Sequence, residues 1–103
     1  MTSRQWNPGD LLDISGFYWK TAVLHAAVKL DLFTAIGDEQ LAANEISSQL
    51  NAAPQGMERL LDALVAMELL VKVDGIYANS PSGQILLSKN SAQYIGHIIM
   101  HHH

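Results

Sequence analysis

The chain has 103 residues, 49% of them hydrophobic and 16% charged, with six Lys and Arg against ten Asp and Glu for a net charge of −4. That is one domain's worth of chain, too short for a dinucleotide-type α/β domain plus anything else, and it offers no positive field to collect nucleic-acid phosphates. With no cysteine, disulfides and thiolate metal sites are excluded, and no apolar run approaches the ~20 residues that cross a bilayer, so a cytoplasmic protein without a membrane partner is expected.

Residues 1–9 hold Trp6, Asn7, Pro8 and Gly9, breakers that read as an irregular lead-in. A first helix is expected at or just after Asp10. Along it Ile14, Phe17, Tyr18, Thr21, Leu24, His25 and Val28 recur at helical spacing. Leu12, Trp19, Val23, Ala26, Ala27 and Leu30 cover much of the other side, and only Lys20 and Lys29 carry charge between positions 17 and 30. A helix apolar nearly all round is buried on two sides. One small core cannot cover both, so Phe17, Trp19, Val23, Ala26, Ala27 and Leu30 form the candidate surface for a second copy, another subunit or a further domain.

Residues 32–36 add a helical turn or two, stopped by Gly37, and 40–43 read as extended. Asn44 is expected to cap a short helix over 45–50. Pro54 opens the next helix, which runs to about Met67 with Met57, Leu60, Leu61, Leu64 and Val65 on one face. Residues 69–73 and 76–78 are strands joined by the turn Asp74-Gly75. Ser80 and Pro81 cap and open a short helix through Leu87, broken at residues 88–91. A last apolar helix begins after Ala92 and is expected to continue or to dock elsewhere. The fold class is therefore mainly α: a winged helix-turn-helix with a long N-terminal helix and a small β-hairpin wing. The expected division is a lead-in at 1–9, a winged-helix domain at 10–90, and the start of a further helix at 91–103.

The stretches Leu24-His25-Ala26-Ala27-Val28-Lys29-Leu30-Asp31-Leu32-Phe33-Thr34-Ala35-Ile36, Asn44-Glu45-Ile46-Ser47-Ser48-Gln49-Leu50 and Arg59-Leu60-Leu61-Asp62-Ala63-Leu64 stand in that order. Behind them comes Asp74-Gly75-Ile76-Tyr77, then Ser80-Pro81-Ser82-Gly83 before a leucine-rich turn. Together they resemble the N-terminal dimerisation domain of small-molecule O-methyltransferases, over roughly residues 10–90. The resemblance implies a homodimer intertwined through the first helix, followed in the parent protein by a Rossmann-like domain that binds S-adenosylmethionine and methylates a hydroxyl on a small aromatic or polyketide-like acceptor. It also implies that the first helix lends an aromatic residue, with Tyr18 the candidate, to the acceptor pocket. Asp31 and Glu68 depart from the family pattern, standing where a glycine past a helix end is common.

No cofactor or catalytic residue is expected within these residues, since the seven glycines are scattered singly with no Gly-x-Gly-x-Gly loop after a strand. His97 and His101 are four apart, a spacing that can hold a metal, but no carboxylate or third ligand lies near them in sequence, so no metal site is expected. His25, between Leu24 and Ala26, reads as a packed residue. The alternative function is a standalone winged-helix transcriptional regulator that binds DNA or a small ligand. Against DNA stands the composition of the second helix of the pair, where Gln55 and Arg59 face Glu58, Asp62 and Glu68.

Overall fold

The computed structural model describes residues 7–101, and the side chains of residues 13–17 lie outside that description. Helix α1 spans Pro8–Lys29. It starts earlier than the sequence suggested because Asn7, not Asp10, is the cap: the Asp10 backbone N–H donates to Asn7 Oδ1 at 2.8 Å. Pro8 then occupies the first turn, where a missing N–H costs nothing. The helix ends at Asp31, which takes the left-handed conformation (φ 57°, ψ 35°) and so turns the chain into α2, Leu32–Ile36. Lys89 Nζ lies 2.8 Å from the Asp31 carboxylate, and the Lys89 N–H donates to Thr34 Oγ1 at 2.9 Å, so the junction is held from outside.

Strand β1 is Leu41–Ala42, and α3 follows at Ala43–Leu50. Asn44 is not its cap. The helix begins two residues earlier, at Ala43, and the Glu45 carboxylate reaches back to accept from the Ala42 N–H at 2.9 Å, which leaves Asn44 inside the first turn. Asn51 closes α3 in the left-handed conformation (φ 54°), and α4 runs Pro54–Ala66 with Met57, Leu61 and Leu64 buried at helical spacing. Its end is a Schellman turn: the Leu69 N–H donates to Leu64 O and the Glu68 N–H to Val65 O, with Glu68 at φ 62°. Both acidic departures from the glycine pattern therefore sit at positive φ.

Strands β2, Leu70–Val73, and β3, Ile76–Asn79, pair antiparallel with Val73 opposite Ile76. Asp74 and Gly75 between them have φ 52° and 76°, the two positive values a tight two-residue hairpin turn requires. β1 pairs with the other edge of β3, Leu41 opposite Tyr77, giving the order β1-β3-β2. Helix α5, Pro81–Leu87, is capped by Ser80, whose Oγ accepts from the Gly83 N–H at 3.1 Å and donates to Leu69 O at 3.0 Å. A Cβ on Gly83 would collide with that same Leu69 carbonyl oxygen. Helix α6 spans Gly96–His101. The core lies between α2, α3, α4 and the inner face of the sheet, with Leu32, Phe33, Ile46, Leu61, Leu64 and Tyr77 at its centre.

Candidate interaction site

Among the described side chains of α1, those that join this core lie toward its C-terminus: Ala27 and Val28 are buried in it, and Val23 and Leu24 pack on its margin. The molecule measures 55 × 30 × 23 Å with a radius of gyration of 15.7 Å, against about 13 Å for a compact chain of this length. Toward its N-terminus α1 exposes large apolar side chains: Tyr18 is 80% exposed, Leu12 71% and Trp19 46%, and Leu11 is exposed as well; Leu30 is exposed at the other end.

The residues singled out from the sequence thus separate into groups. Trp19, Ala26 and Leu30 are exposed, as is Tyr18, while Val23 is half-buried. Ala27 is 0% exposed and packs wholly inside its own chain, with no surface left to present. The side chain of Phe17 lies outside the described residues. Leu11 and Leu12 were not singled out as partner-facing. Two adjacent leucines placed directly after a capped first turn, with no packed element beside them, were the available signal.

Between α4 and the hairpin is a polar cluster. Tyr77, 15 residues from Asp62 along the chain, donates its hydroxyl to Asp62 Oδ1, and Lys72 Nζ lies 3.1 Å from the same oxygen and 5.1 Å from the centre of the Tyr77 ring. The Tyr77 hydroxyl first, and the Lys72 ammonium after it, hold the Asp62 carboxyl below the usual carboxylate range. Burial and then the Asp62 carboxylate push the Tyr77 phenol above its ordinary value. Beside the cluster is a shallow hollow of about 290 Å³ lined by Asn44, Pro54, Glu58, Lys72 and Tyr77 among others. The outward side of α4 carries Gln55, Glu58, Arg59 and Asp62, two carboxylates to one guanidinium, which repels a phosphate backbone.

His97 and His101 both lie exposed on α6, with the Tyr94 and His97 rings 5.7 Å apart. Among the described residues no group of three or more potential ligands gathers for a metal ion. No described helix is long and apolar enough to cross a membrane. The residues do not fit an S-adenosylmethionine cradle. The three strands are short and antiparallel, whereas such a cofactor seats at the carboxyl ends of parallel strands over a glycine-rich turn. Gly37 and Gly75 serve tight turns instead.

The fold is mainly helical with a three-stranded antiparallel sheet and a first helix that exposes apolar side chains. Residues 12–89 match the O-methyltransferase dimerisation domain, and the chain belongs to that family. It is 35% identical over 92 residues to the N,N-dimethyltransferase OxyT of Streptomyces rimosus, covering 89% of this chain and 27% of the relative. With the tetracenomycin polyketide synthesis 8-O-methyl transferase TcmO of Streptomyces glaucescens it shares 34% over 90 residues, 86% of this chain and 26% of the other. Among solved structures, PigF with SAH superposes with a TM-score of 0.85 at 27% identity, over 94% of this chain and 29% of that one; PigF itself is a methyl transferase of a Serratia species. The chain spans between a quarter and a third of the length of each of these three relatives.

Proposed function

We propose that this chain is the homodimerisation module of a cytoplasmic, S-adenosylmethionine-dependent O-methyltransferase, and that α1 is the element a second copy grips. In this reading the winged-helix domain occupies residues 10–90, and residues 91–103 lead toward a catalytic domain that holds the cofactor and the base. Tyr18, raised on α1 into solvent, reaches the acceptor pocket of the assembled enzyme and helps to select a small hydroxylated molecule. The observation that carries the reading is the exposure of Leu11, Leu12, Tyr18 and Trp19 on a helix whose other end is anchored in the core. Burying one aromatic of this kind is worth roughly 2 kcal/mol, and a two-fold dimer buries each such residue twice, a gain set against the cost of association.

Sedimentation equilibrium tests it. The wild-type protein is expected to be a dimer at tens of micromolar, and Trp19→Glu to shift it to monomer without loss of helical circular dichroism. A monomeric wild type sinks the reading. The regulator alternative is not favoured, because Glu58 and Asp62 flank Arg59 on the face a DNA reader would use.

A further inference from the structure

We propose that the surface covered by the second copy does not stop at α1 but continues across α6 to α5, through Ile98, Ile95 and Leu86. This rests on the reading of α1 as a dimer surface and adds which further part of the chain the partner copy covers.

Continuity is the first argument. α6 packs against α1, with Ile99 and Met100 set against the same core cluster as Val23 and Leu24 of α1. Ile95 and Ile98 are left exposed, Ile98 at 49%. The backbone ties them to α5: the Ile98 N–H donates to Ile95 O at 3.0 Å and the Ile95 N–H donates to Leu86 O at 2.8 Å. Leu86 and its neighbour Ile85 are exposed too. The backbone therefore sets the exposed apolar residues of α6, itself packed on α1, beside those at the end of α5.

Charge is the second argument. Neither α5 nor α6 contains an Asp, Glu, Lys or Arg. A helix with a free face normally carries charge on it, whereas depletion of charge marks the centre of a protein interface. Lys89, the one cation between them, is held by Asp31 at 2.8 Å and does not intrude.

Area is the third. A helix about 33 Å long pressed along one side offers a strip about 10 Å wide, a footprint of roughly 300 Å². A standard interface covers about 800 Å² on each partner. Ile85, Leu86, Ile95 and Ile98 supply further exposed apolar surface on elements that adjoin α1 through α6.

The test is sedimentation equilibrium of the intact protein with Ile98→Glu, Leu86→Glu and the milder Ile98→Ala, beside Trp19→Glu. Each glutamate variant is expected to raise the dimer Kd at least tenfold and Ile98→Ala about threefold, with melting temperatures of the separated monomers close to wild type. Hydrogen exchange on the wild type, read as the dimer is diluted into monomer, is expected to quicken at residues 95–98. If Trp19→Glu dissociates the dimer while all three α5 and α6 variants keep the wild-type Kd, or exchange at 95–98 is indifferent to dilution, the extension is wrong and the α1 reading stands. If the wild type is monomeric or Trp19→Glu has no effect, the α1 reading itself fails and the extension fails with it.

Discussion

The hydroxyl of Tyr77 on β3 donates to the carboxylate of Asp62 on α4, joining the hairpin to the helix in front of it. Tyr77 is almost wholly buried, and the carboxylate stands about half in solvent. The pair is thus a pin whose head is in the core and whose end is wet.

Its acid dependence follows from the sign of the shift. Asp62 is held below the usual carboxylate range by the Tyr77 hydroxyl and then by Lys72, so the folded state favours the ionised form. That stabilisation is present above the unfolded-state value near pH 4 and is lost as pH falls through the lower folded value. Tyr77 is shifted up, so its contribution is present below about pH 10 and lost as pH rises beyond that. Urea denaturation from pH 2.5 to 7 is expected to show Asp62→Asn with a flatter pH profile than wild type. Near neutrality the variant should be less stable by roughly 0.5–1 kcal/mol, a small value because the carboxylate is exposed. Equal slopes for the two proteins would show that the pin contributes nothing.

Asn79 ties three parts of the chain together. Its amide donates to Phe33 O at 2.9 Å, Gly37 O at 3.0 Å and Gln84 Oε1 at 2.8 Å, linking the end of α2 to α5. Asn79→Asp replaces the donor with a carboxylate aimed at three acceptor oxygens, and is expected to lose about 2–4 kcal/mol at pH 7. Acidification to pH 3 should return part of the loss, since a protonated carboxyl can donate once. Chemical denaturation at the two pH values checks both statements, and an unchanged midpoint at pH 7 would remove Asn79 from this role.

The helix ends offer a contrast between two substitutions. Gly83→Ala drives a methyl into the Leu69 carbonyl oxygen and to 3.5 Å from the Phe33 ring, at a core position, and is expected to cost about 2 kcal/mol or more. Glu68→Gly relieves a side chain held at φ 62°, and should stabilise by about 0.5–1 kcal/mol after the added freedom of the unfolded chain is counted. Asp31→Gly should gain less than Glu68→Gly, because it also removes the ion pair with Lys89. Thermal melts of the three variants order them, and a destabilised Glu68→Gly would contradict the account of that turn.

Most elements were legible because their signals are local. Pro54 with its apolar run, Asp74-Gly75 between β-branched residues, and Ser80 before Pro81 each specify backbone geometry within a few residues. The start of α1 was misplaced because Asn7 and Asp10 are both good caps and only hydrogen bonding selects between them. The cap of α3 was misjudged because a glutamate three residues on can satisfy a terminal N–H in place of an asparagine side chain. For the candidate surface, sequence pattern shows that residues 17–30 are apolar nearly all round but not which stretch the chain's own core will claim. Ala27 and Ala26 are neighbours of the same type, and packing alone puts the first inside and leaves the second exposed. The Asp62 and Tyr77 pin has no sequence signal either, since it depends on how the hairpin folds back over α4.

The packed turn of α1 from Val23 to Val28 is the fulcrum of a lever. About 22 Å of helix runs from Pro8 to that grip, so a rotation of only about 10° there sweeps its far tip through about 4 Å. Small changes in how Val23, Leu24, Ala27 and Val28 seat in the core therefore produce a displacement at the tip far larger than themselves.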